Sequence, residues 1–275
     1  MNTELNDSSD RPLSVARFHG LGNVVQLLPI LRSHADQGRS VELITRPEWG
    51  DVFRHVVPEI SFGTEIGAST IDLDELTRFA RPTESRTDEF AGALGISGVE
   101  HRPVALPAEW LREWEHLEHA ILFAPEAAHE SRRCPDALAM DIGVQLMDEK
   151  LVVVGNRSTP AIHCHADLRG KTGLQDLLTL VRQAAAVISM DSAMLHIATL
   201  LGTPAVGIFS GIDPLMRTHP WQRVLVLVGD VPCRPCNKKE TCNGQYFCLR
   251  RIGAHDVVQG VQQLGALRER AIRVI

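Results

Sequence analysis

Aromatic side chains, long apolar runs and positive charge are all scarce in this sequence of 275 residues. One tyrosine and eight phenylalanines are too few for an aromatic platform on which nucleic-acid bases stack. The formal net charge of -6 argues against nonspecific nucleic-acid binding, because such binding requires a basic surface. No apolar run approaches the roughly 20 residues of a membrane-spanning helix, and no secretory signal pattern is present. We therefore expect a cytoplasmic protein that has no transmembrane segment and binds no nucleic acid.

Cysteine is concentrated at one place, where four of the six residues follow the spacing Cys-x2-Cys-x5-Cys-x5-Cys. They are Cys233, Cys236, Cys242 and Cys248. Four thiolates in a short loop can close a tetrahedral site around one metal ion, and soft sulfur ligands favour zinc or iron. Two disulfides or four unliganded thiols are the alternatives, although a reducing compartment disfavours disulfides. A closed four-sulfur site leaves no open position for chemistry, so the predicted knuckle over 233–248 is structural.

Apolar runs alternate with helical patterns in two successive series, which predicts an α/β protein with two Rossmann-like lobes facing a cleft. The first series begins with a strand at Leu13 to Phe18, a glycine-bearing turn at 19–23 and a helix. It continues with a strand at 41–45, helical patterns near 47–56, 71–80 and 85–94, and a possible short strand beginning at Val104. We expect residues 1–12 to be a disordered tail, 13–118 the N-terminal lobe and 119–275 the C-terminal lobe. The helical segment Glu109 to His119 would join the lobes.

The second series consists of apolar runs typical of buried parallel strands, separated by helical patterns. The predicted strands are 120–124, 151–155, 187–190, 205–209 and 224–228, and the predicted helices are 136–147, 173–185, 191–201 and 254–268.

The most informative junction is the passage from the strand at 187–190 into the following helix, at Asp191 and Ser192. Free N–H groups at the first turn of such a helix suit a diphosphate, because they meet it as donors at the positive end of the helix dipole. His196 follows Ser192 by four residues and lies on the same helix face. The alternative is that Asp191 and Ser192 only cap the helix and His196 is a hydrogen-bonded core residue.

The surrounding sequence, LRGKTGLQDLLTLVRQAAAVISMDSAMLHIATLLGTPAVGIFSGIDP, resembles the second-domain signature of the bacterial heptosyltransferases. These are glycosyltransferases of family nine with the GT-B fold. The first turn, RFHGLGNVVQLLPILRS, is similar to the family pattern R-x-x-x-x-G-D, and HESRRCP is similar to its phosphate-contacting K-x-W-P turn. The cysteine cluster also resembles one that carries iron in related autotransporter heptosyltransferases.

This resemblance implies a GT-B-like fold and the transfer, with inversion, of a sugar from a nucleotide-diphosphate donor. The sugar is usually a heptose and the donor an ADP-sugar. The N-terminal lobe would then hold the acceptor and the C-terminal lobe the donor. Carried over by position, the binding residues would be Gly22, Asp191, Ser192, Ala193, His196 and either Arg132 or Arg133.

The sequence departs from the family pattern at the catalytic turn, where Asn23 replaces the aspartate that serves as general base. A neutral amide can orient a hydroxyl but cannot take its proton. His19 is the nearest substitute base, followed by Glu126 and His129 on the opposite lobe. Ala193 replaces a glycine of the family motif, and Asp167 is the only acidic residue in the shortened interval from which the family holds the donor ribose.

Two functions remain open at this point. The first is an active glycosyltransferase that uses a saccharide, protein or small-molecule acceptor. The second is a catalytically silent binding or partner subunit with a structural metal site, possibly within a homo- or hetero-oligomer.

Overall fold

The computed structural model describes residues 12–76, 84–157, 159–236, 242–266 and 270–275. Most of the predicted tail and parts of two predicted helices, 77–80 and 267–268, therefore lie outside the described residues. Two separate sheets are present, and every strand pairing in them is parallel. This arrangement confirms the α/β class and the prediction of one parallel sheet in each half of the chain.

The N-terminal sheet has four strands in the order β3-β2-β1-β4. They are β1 (Leu13–Ala16), β2 (Val41–Ile44), β3 (Ser61–Gly63) and β4 (Ile71–Asp72). The helices of this part are α1 (Leu21–Ala35), α2 (Pro47–Phe53), α3 (Leu73–Leu76), α4 (Arg86–Ala93) and α5 (Ala108–Glu113). Val15, Leu27, Leu31 and Leu43 are fully buried between α1 and the sheet, so the apolar spacing of the first series forms a core.

The C-terminal sheet has seven strands in the order β11-β10-β9-β8-β5-β6-β7. They are β5 (Ile121–Ala124), β6 (Leu151–Val153), β7 (Ala166–Asp167), β8 (Ala186–Met190), β9 (Ala205–Phe209), β10 (Val224–Val228) and β11 (Ala271–Val274). The helices are α6 (Asp136–Gln145), α7 (Leu174–Gln183), α8 (Ala193–Leu201), α9 (Phe247–Arg250) and α10 (Ala254–Gln263). Among the described residues, no helix combines the length and the apolar character needed to span a membrane.

Strand order determines where a ligand can bind. In the N-terminal sheet the connections change direction between β1 and β4, and in the C-terminal sheet they change direction between β5 and β8. Open parallel sheets bind ligands at such switch points, beyond the carboxyl ends of the strands. The loops that follow β1, β4, β5 and β8 all line one cleft.

The two parts of the chain meet through α1 and α8. Gly22 lies so close to α8 that a Cβ at this position would be 2.9 Å from His196 Cδ2 and 3.3 Å from Ala193 Cα. One turn further, the Gln26 amide nitrogen lies 3.2 Å from His196 Nε2. A larger residue than glycine at position 22 would therefore separate the helices.

Several predicted elements differ from the observed ones. The possible strand at Val104 is absent, and its N–H instead donates to Leu200 O at 3.0 Å, which attaches this loop to α8. The helix predicted over 109–119 is shorter, since α5 ends at Glu113 and a 3-10 turn follows at Glu115–Leu117. The helix predicted from Asp191 begins two residues later because Ser192 has an extended backbone.

Candidate functional site

One cleft of about 920 Å³ lies between the two sheets. The side chains along its walls come from both halves of the chain, so neither half forms the site alone. Its charged and histidine residues are Arg17, His19, Asp74, Glu75, Arg86, Glu126, His129, Arg132, Asp191, His196 and Arg217.

His19 lies just beyond the carboxyl end of β1 and forms a pair with Asp74. His19 Nδ1 is 3.0 Å from Asp74 Oδ2, the histidine side chain is 79% exposed, and the carboxylate is 11% exposed. Asp74 also accepts the Phe18 N–H at 2.7 Å and lies 3.0 Å from Arg17 Nη1. These contacts hold the carboxylate in place. With Nδ1 donating to Asp74, His19 Nε2 is an acceptor exposed at the cleft.

Asn23 is part of the same turn and lines the cleft. Its side-chain amide donates to His19 O at 3.0 Å, which ties the first turn of α1 to the histidine. Gly20 precedes α1 with a φ of 80°, a left-handed conformation that glycine adopts without strain. The turn therefore places His19 and Asn23 together on the N-terminal side of the cleft.

Asp191 is buried at the end of β8 and contacts two arginines. Arg132 Nη1 donates to Asp191 Oδ2 at 3.1 Å and to Asp191 O at 3.0 Å. Arg217 Nε lies 3.9 Å from the same carboxylate oxygen. The carboxylate is only 2% exposed and faces two cations, so it can hold both guanidinium groups in position.

Of the two adjacent arginines that the sequence offered, the structure brings only Arg132 to the cleft wall. Arg133 does not line the cleft, although its Nε is buried. Arg132 is the last residue of the 3-10 turn Glu130–Arg132, whereas the backbone of Arg133 is extended.

Ser192 and Ala193 begin α8 at the edge of the cleft. Ser192 occupies the N-cap position, but its hydroxyl makes no cap hydrogen bond and lies 3.1 Å from Ser189 Oγ instead. The alternative that Asp191 and Ser192 only cap this helix therefore does not hold, since the Asp191 side chain contacts arginines and the Ser192 side chain contacts a serine. The first turn of α8 is left facing the cleft.

His196 combines the two alternatives that the sequence left open, because it is buried and also lines the cleft. Burial lowers the pKa of His196 to about 4, so the imidazole is neutral near pH 7. The Gln26 amide nitrogen can donate to Nε2 at 3.2 Å, which places the ring hydrogen on Nδ1. In the described part of the chain, that nitrogen has no hydrogen-bond partner.

The other predicted acidic and histidine candidates differ in their positions. Glu126 lines the cleft, but its carboxylate accepts the backbone N–H groups of Asn156 at 2.9 Å and Arg157 at 2.5 Å. His129 also lines the cleft. Asp167 does not line the cleft. Three hydrogen bonds from Arg169, two from the guanidinium and one from the backbone N–H, hold the Asp167 carboxylate and lower its pKa. This geometry gives no support to Asp167 as a ribose ligand.

Sequence reasoning did not identify five residues of the site, namely Arg17, Gln26, Asp74, Arg86 and Arg217. They come from the residue that follows β1, from α1, α3 and α4, and from the loop after β9. Four of them have a partner that is distant in the sequence, whereas Arg86 pairs with Glu89, three residues further on. Arg17 is the first residue of the R-x-x-x-x-G pattern in the first turn, and the other four carried no sequence signal beyond their polarity.

The four clustered cysteines line a second cavity, of about 30 Å³, beyond the carboxyl ends of β9 and β10. Close packing of this loop depends on Gly211, since a Cβ there would lie 2.1 Å from Cys236 Sγ. Arg234 donates to Ser210 O at 2.7 Å and to Ile212 O at 3.1 Å, which keeps a positive charge beside the thiols. Within the described residues, no three His, Cys, Asp or Glu side chains are close enough to form a metal-binding group.

Comparison with known proteins relates this cleft to one family. Residues 150–247 match the profile of glycosyltransferase family 9 (heptosyltransferase). This segment is similar to the heptosyltransferases. The matched segment runs from β6 through β8, the Asp191 turn and α8 to the cysteine loop, and so contains much of the C-terminal wall of the cleft.

Two characterised relatives match shorter segments of the chain. Lipopolysaccharide core heptosyltransferase OpsX of Haemophilus influenzae is 39% identical over 64 residues, which are 22% of this chain and 18% of that protein. Lipopolysaccharide heptosyltransferase 3 of Escherichia coli is 30% identical over 99 residues, which are 35% of this chain and 28% of that protein. The matches thus span less than a third of either relative.

The similarity in fold to solved structures covers much more of the chain than these sequence matches do. The iron-containing dodecameric glycosyltransferase TibC from enterotoxigenic E. coli superposes with a TM-score of 0.73, covering 94% of this chain and 77% of TibC at 15% identity. TibC has also been crystallised in complex with ADP-D-β-D-heptose, and that structure gives a TM-score of 0.72 at 16% identity. The two facing lobes of the heptosyltransferase fold, of the GT-B type, are therefore present in this chain.

Proposed function

We propose that this protein is an inverting glycosyltransferase that moves a heptose from an ADP-linked donor to a hydroxyl of a saccharide, protein or small-molecule acceptor. One observation carries the proposal: a single cleft joins the start of α8, with Arg132, to the exposed His19–Asp74 pair. The first part suits a diphosphate and the second suits proton removal from a hydroxyl. The family match over 150–247 and the TibC complex with ADP-heptose support the same donor.

The donor diphosphate would lie against the first turn of α8. There the backbone of Ser192 and Ala193 lies at the positive end of the helix dipole, and Arg132 adds a charged donor. Neutral His196 would be a further hydrogen-bond donor to the diphosphate, because its buried Nδ1–H has no partner among the described residues. In this arrangement Asp191 positions Arg132 and Arg217, because a carboxylate in direct contact with a diphosphate would repel it.

The acceptor would lie against the N-terminal side of the cleft, where His19 is the proposed base. The acceptor oxygen attacks the anomeric carbon on the face opposite the diphosphate, and its proton passes to His19 Nε2. The bond between the anomeric carbon and the diphosphate oxygen breaks, and ADP leaves with that electron pair. Asp74 orients His19 and stabilises the imidazolium that forms, as the carboxylate partner of a catalytic histidine does in other enzymes. Asn23 would orient the hydroxyl without taking the proton.

The donor site is tested by measuring ADP affinity in matched arginine variants. Arg132→Gln is expected to weaken ADP binding by about tenfold to a hundredfold, since a hydrogen bond to a charged group contributes roughly 1.5–3 kcal/mol. Arg133→Gln is the control, because Arg133 does not line the cleft, and this variant should bind ADP as the natural protein does. Calorimetric titration of each variant with ADP, and thermal-shift assays with GDP and UDP, provide the comparison.

Failure of ADP, GDP and UDP to bind the natural protein would eliminate the transferase proposal. The silent binding or partner subunit would then be the remaining function. Equal losses of ADP affinity in Arg132→Gln and Arg133→Gln would instead contradict the position assigned to the donor.

We further propose that Cys233, Cys236, Cys242 and Cys248 hold one zinc or iron ion. Their arrangement around one cavity and the adjacent Arg234 fit such a group, since the guanidinium would offset part of the thiolate charge. A metal held by four thiolates would be structural and would bind the loop to the ends of β9 and β10. Iron in TibC supports this proposal, and its dodecameric state supports the further proposal that this chain forms an oligomer.

Metal content and thermal stability test the cysteine site together. The natural protein should contain about one equivalent of zinc or iron, and Cys236→Ser should lower both the metal content and the melting temperature while changing ADP affinity little. Cys164→Ser, outside the cluster, is the control and should retain the metal. Elemental analysis that finds no metal, with four titratable thiols in the cluster, would refute the site.

A further inference from the structure

Gln26 lies in the cleft at the place where the two lobes touch. It belongs to α1, and the side chain that it contacts, His196, belongs to α8. The two residues are only 6% and 5% exposed, and both line the cleft. Their contact therefore joins a helix of the proposed acceptor side to the helix of the proposed donor side.

The side-chain amide nitrogen of Gln26 lies between two acceptors. It donates to Gly22 O at 3.3 Å and is 3.2 Å from His196 Nε2. A carbonyl oxygen only accepts hydrogen bonds, so the nitrogen directs one of its two hydrogens to Gly22 and the other to the ring. His196 Nε2 is then the acceptor nitrogen of a neutral imidazole, and Nδ1 carries the hydrogen.

Packing against α1 fixes the orientation of the same ring. A Cβ at position 22 would be 2.9 Å from His196 Cδ2, so this carbon edge lies against the backbone of Gly22. If the ring turned over, Nδ1 would take the place of Cδ2, and the Gln26 amide would face a carbon instead of Nε2. Gln26 thus stabilises the one orientation in which Nδ1–H is available to a ligand, and among the described residues Nδ1 has no partner.

We propose that Gln26 is a positioning residue of the donor site, which keeps His196 Nδ1 protonated and directed toward the diphosphate. The inference rests on the proposed function, in which the diphosphate lies at the start of α8. A neutral ring with its hydrogen on Nε2 would present a lone pair to the phosphate oxygens and repel them. Because α1 also carries Asn23, the helix that faces the acceptor determines how firmly the donor is held.

The position of the ring hydrogen is measurable in the protein without a ligand. Nitrogen-15 NMR of histidine-labelled protein distinguishes protonated from unprotonated ring nitrogens, and His196→Gln identifies the His196 signals by their loss. In the natural protein, Nδ1 should carry the hydrogen at neutral pH. A hydrogen on Nε2 would overturn the proposal.

Gln26→Glu is expected to reverse this arrangement. The new carboxylate is an acceptor, so it draws the single hydrogen of the neutral ring to Nε2 and leaves Nδ1 without one. At neutral or higher pH, ADP affinity should therefore fall by about tenfold to a hundredfold, the value of a hydrogen bond to a charged group.

The same variant should make ADP binding depend on pH. A carboxylate beside His196 raises its pKa from the low value that burial gives it, so at lower pH a second proton is shared between the ring and the carboxylate and Nδ1 again donates. Relative to the natural protein, ADP affinity should recover as pH falls and decrease as pH rises through the raised pKa. Asp191, which favours protonation of the ring, and Arg217 and Arg132, which oppose it, are unchanged in the variant.

The ratio of ADP affinities between variant and natural protein is the quantity to follow, because ionisation of ADP affects both equally. Gln37→Glu adds the same charge at an exposed residue outside the cleft, and its ratio should not change with pH. A ratio for Gln26→Glu that is equally independent of pH would contradict the role of Gln26, although the proposed function would remain if Arg132→Gln still weakens ADP binding.

Gln26→Met keeps the length of the side chain and adds no charge, so a folding defect in Gln26→Glu does not leave the question open. The NMR signals of His196 in Gln26→Met should show a mixture of both tautomers, and an unchanged tautomer would overturn the proposal. If ADP does not bind the natural protein while Gln26→Glu still reverses the tautomer, the proposed function is refuted and the control of His196 by Gln26 stands.

Discussion

Replacing His19 with alanine is expected to lower the turnover number by about 10²–10⁴-fold, which is the usual contribution of general-base assistance. ADP affinity should remain unchanged, because His19 lies on the N-terminal side of the cleft and the donor site on the other. The structure favours His19 as the base since its Nδ1 is 3.0 Å from buried Asp74, which leaves Nε2 exposed at the cleft. ADP release from ADP-heptose, measured with acceptor mixtures, provides the turnover number.

Asn23→Asp is the matched test of this assignment, because it restores the carboxylate found in the family pattern. If His19 is the base, this change should alter turnover little and His19→Ala should abolish most of it. A large gain in Asn23→Asp with no loss in His19→Ala would show that the base was lost with Asn23 and that His19 does not replace it. Absence of any effect from either change, in a protein that no nucleotide sugar stabilises, would support the silent subunit.

Asp191→Ala is expected to lower the free energy of unfolding by about 3–5 kcal/mol, the usual cost of removing one partner from a buried ion pair. The physical reason is that Arg132 and Arg217 would remain buried beside each other without the carboxylate that they share. ADP should recover part of this loss, because its phosphates would bring negative charge to the same guanidinium groups. Denaturant unfolding with and without saturating ADP measures both quantities.

Asp191→Asn separates charge from shape in this experiment. It keeps an oxygen that can accept from Arg132 and removes only the negative charge, so it should lose less stability than alanine does. A loss below about 0.5 kcal/mol in Asp191→Ala, within the range of ordinary surface substitutions, would show that the carboxylate does not hold the arginines. If Asp191→Ala lowers the free energy of unfolding equally with and without ADP, the diphosphate does not lie beside Arg132.

Local patterns were sufficient to predict most of the sheet and several parts of the site. The buried strands β5, β6, β8, β9 and β10 are continuous apolar runs, and that property depends on neighbouring residues alone. The strands β3, β4 and β7 were missed because each has only two or three residues and one of them is polar, and β11 was missed because Arg273 interrupts its short apolar run. The Asp191 turn and the cysteine spacing were visible because each is contained within one short segment.

The sequence by itself determined the α/β class, the start of α8 at the cleft and the close spacing of the four cysteines, since these follow from periodicity and from contacts between near neighbours. Only the tertiary structure decided what each polar residue faces. His19 meets Asp74 and Arg132 meets Asp191 across separations of 55 and 59 positions, and Gln26 covers His196 across 170. Such pairs depend on strand order and on how α1 packs against α8, so no local pattern of residues could show which cations share a carboxylate and which are left for a ligand.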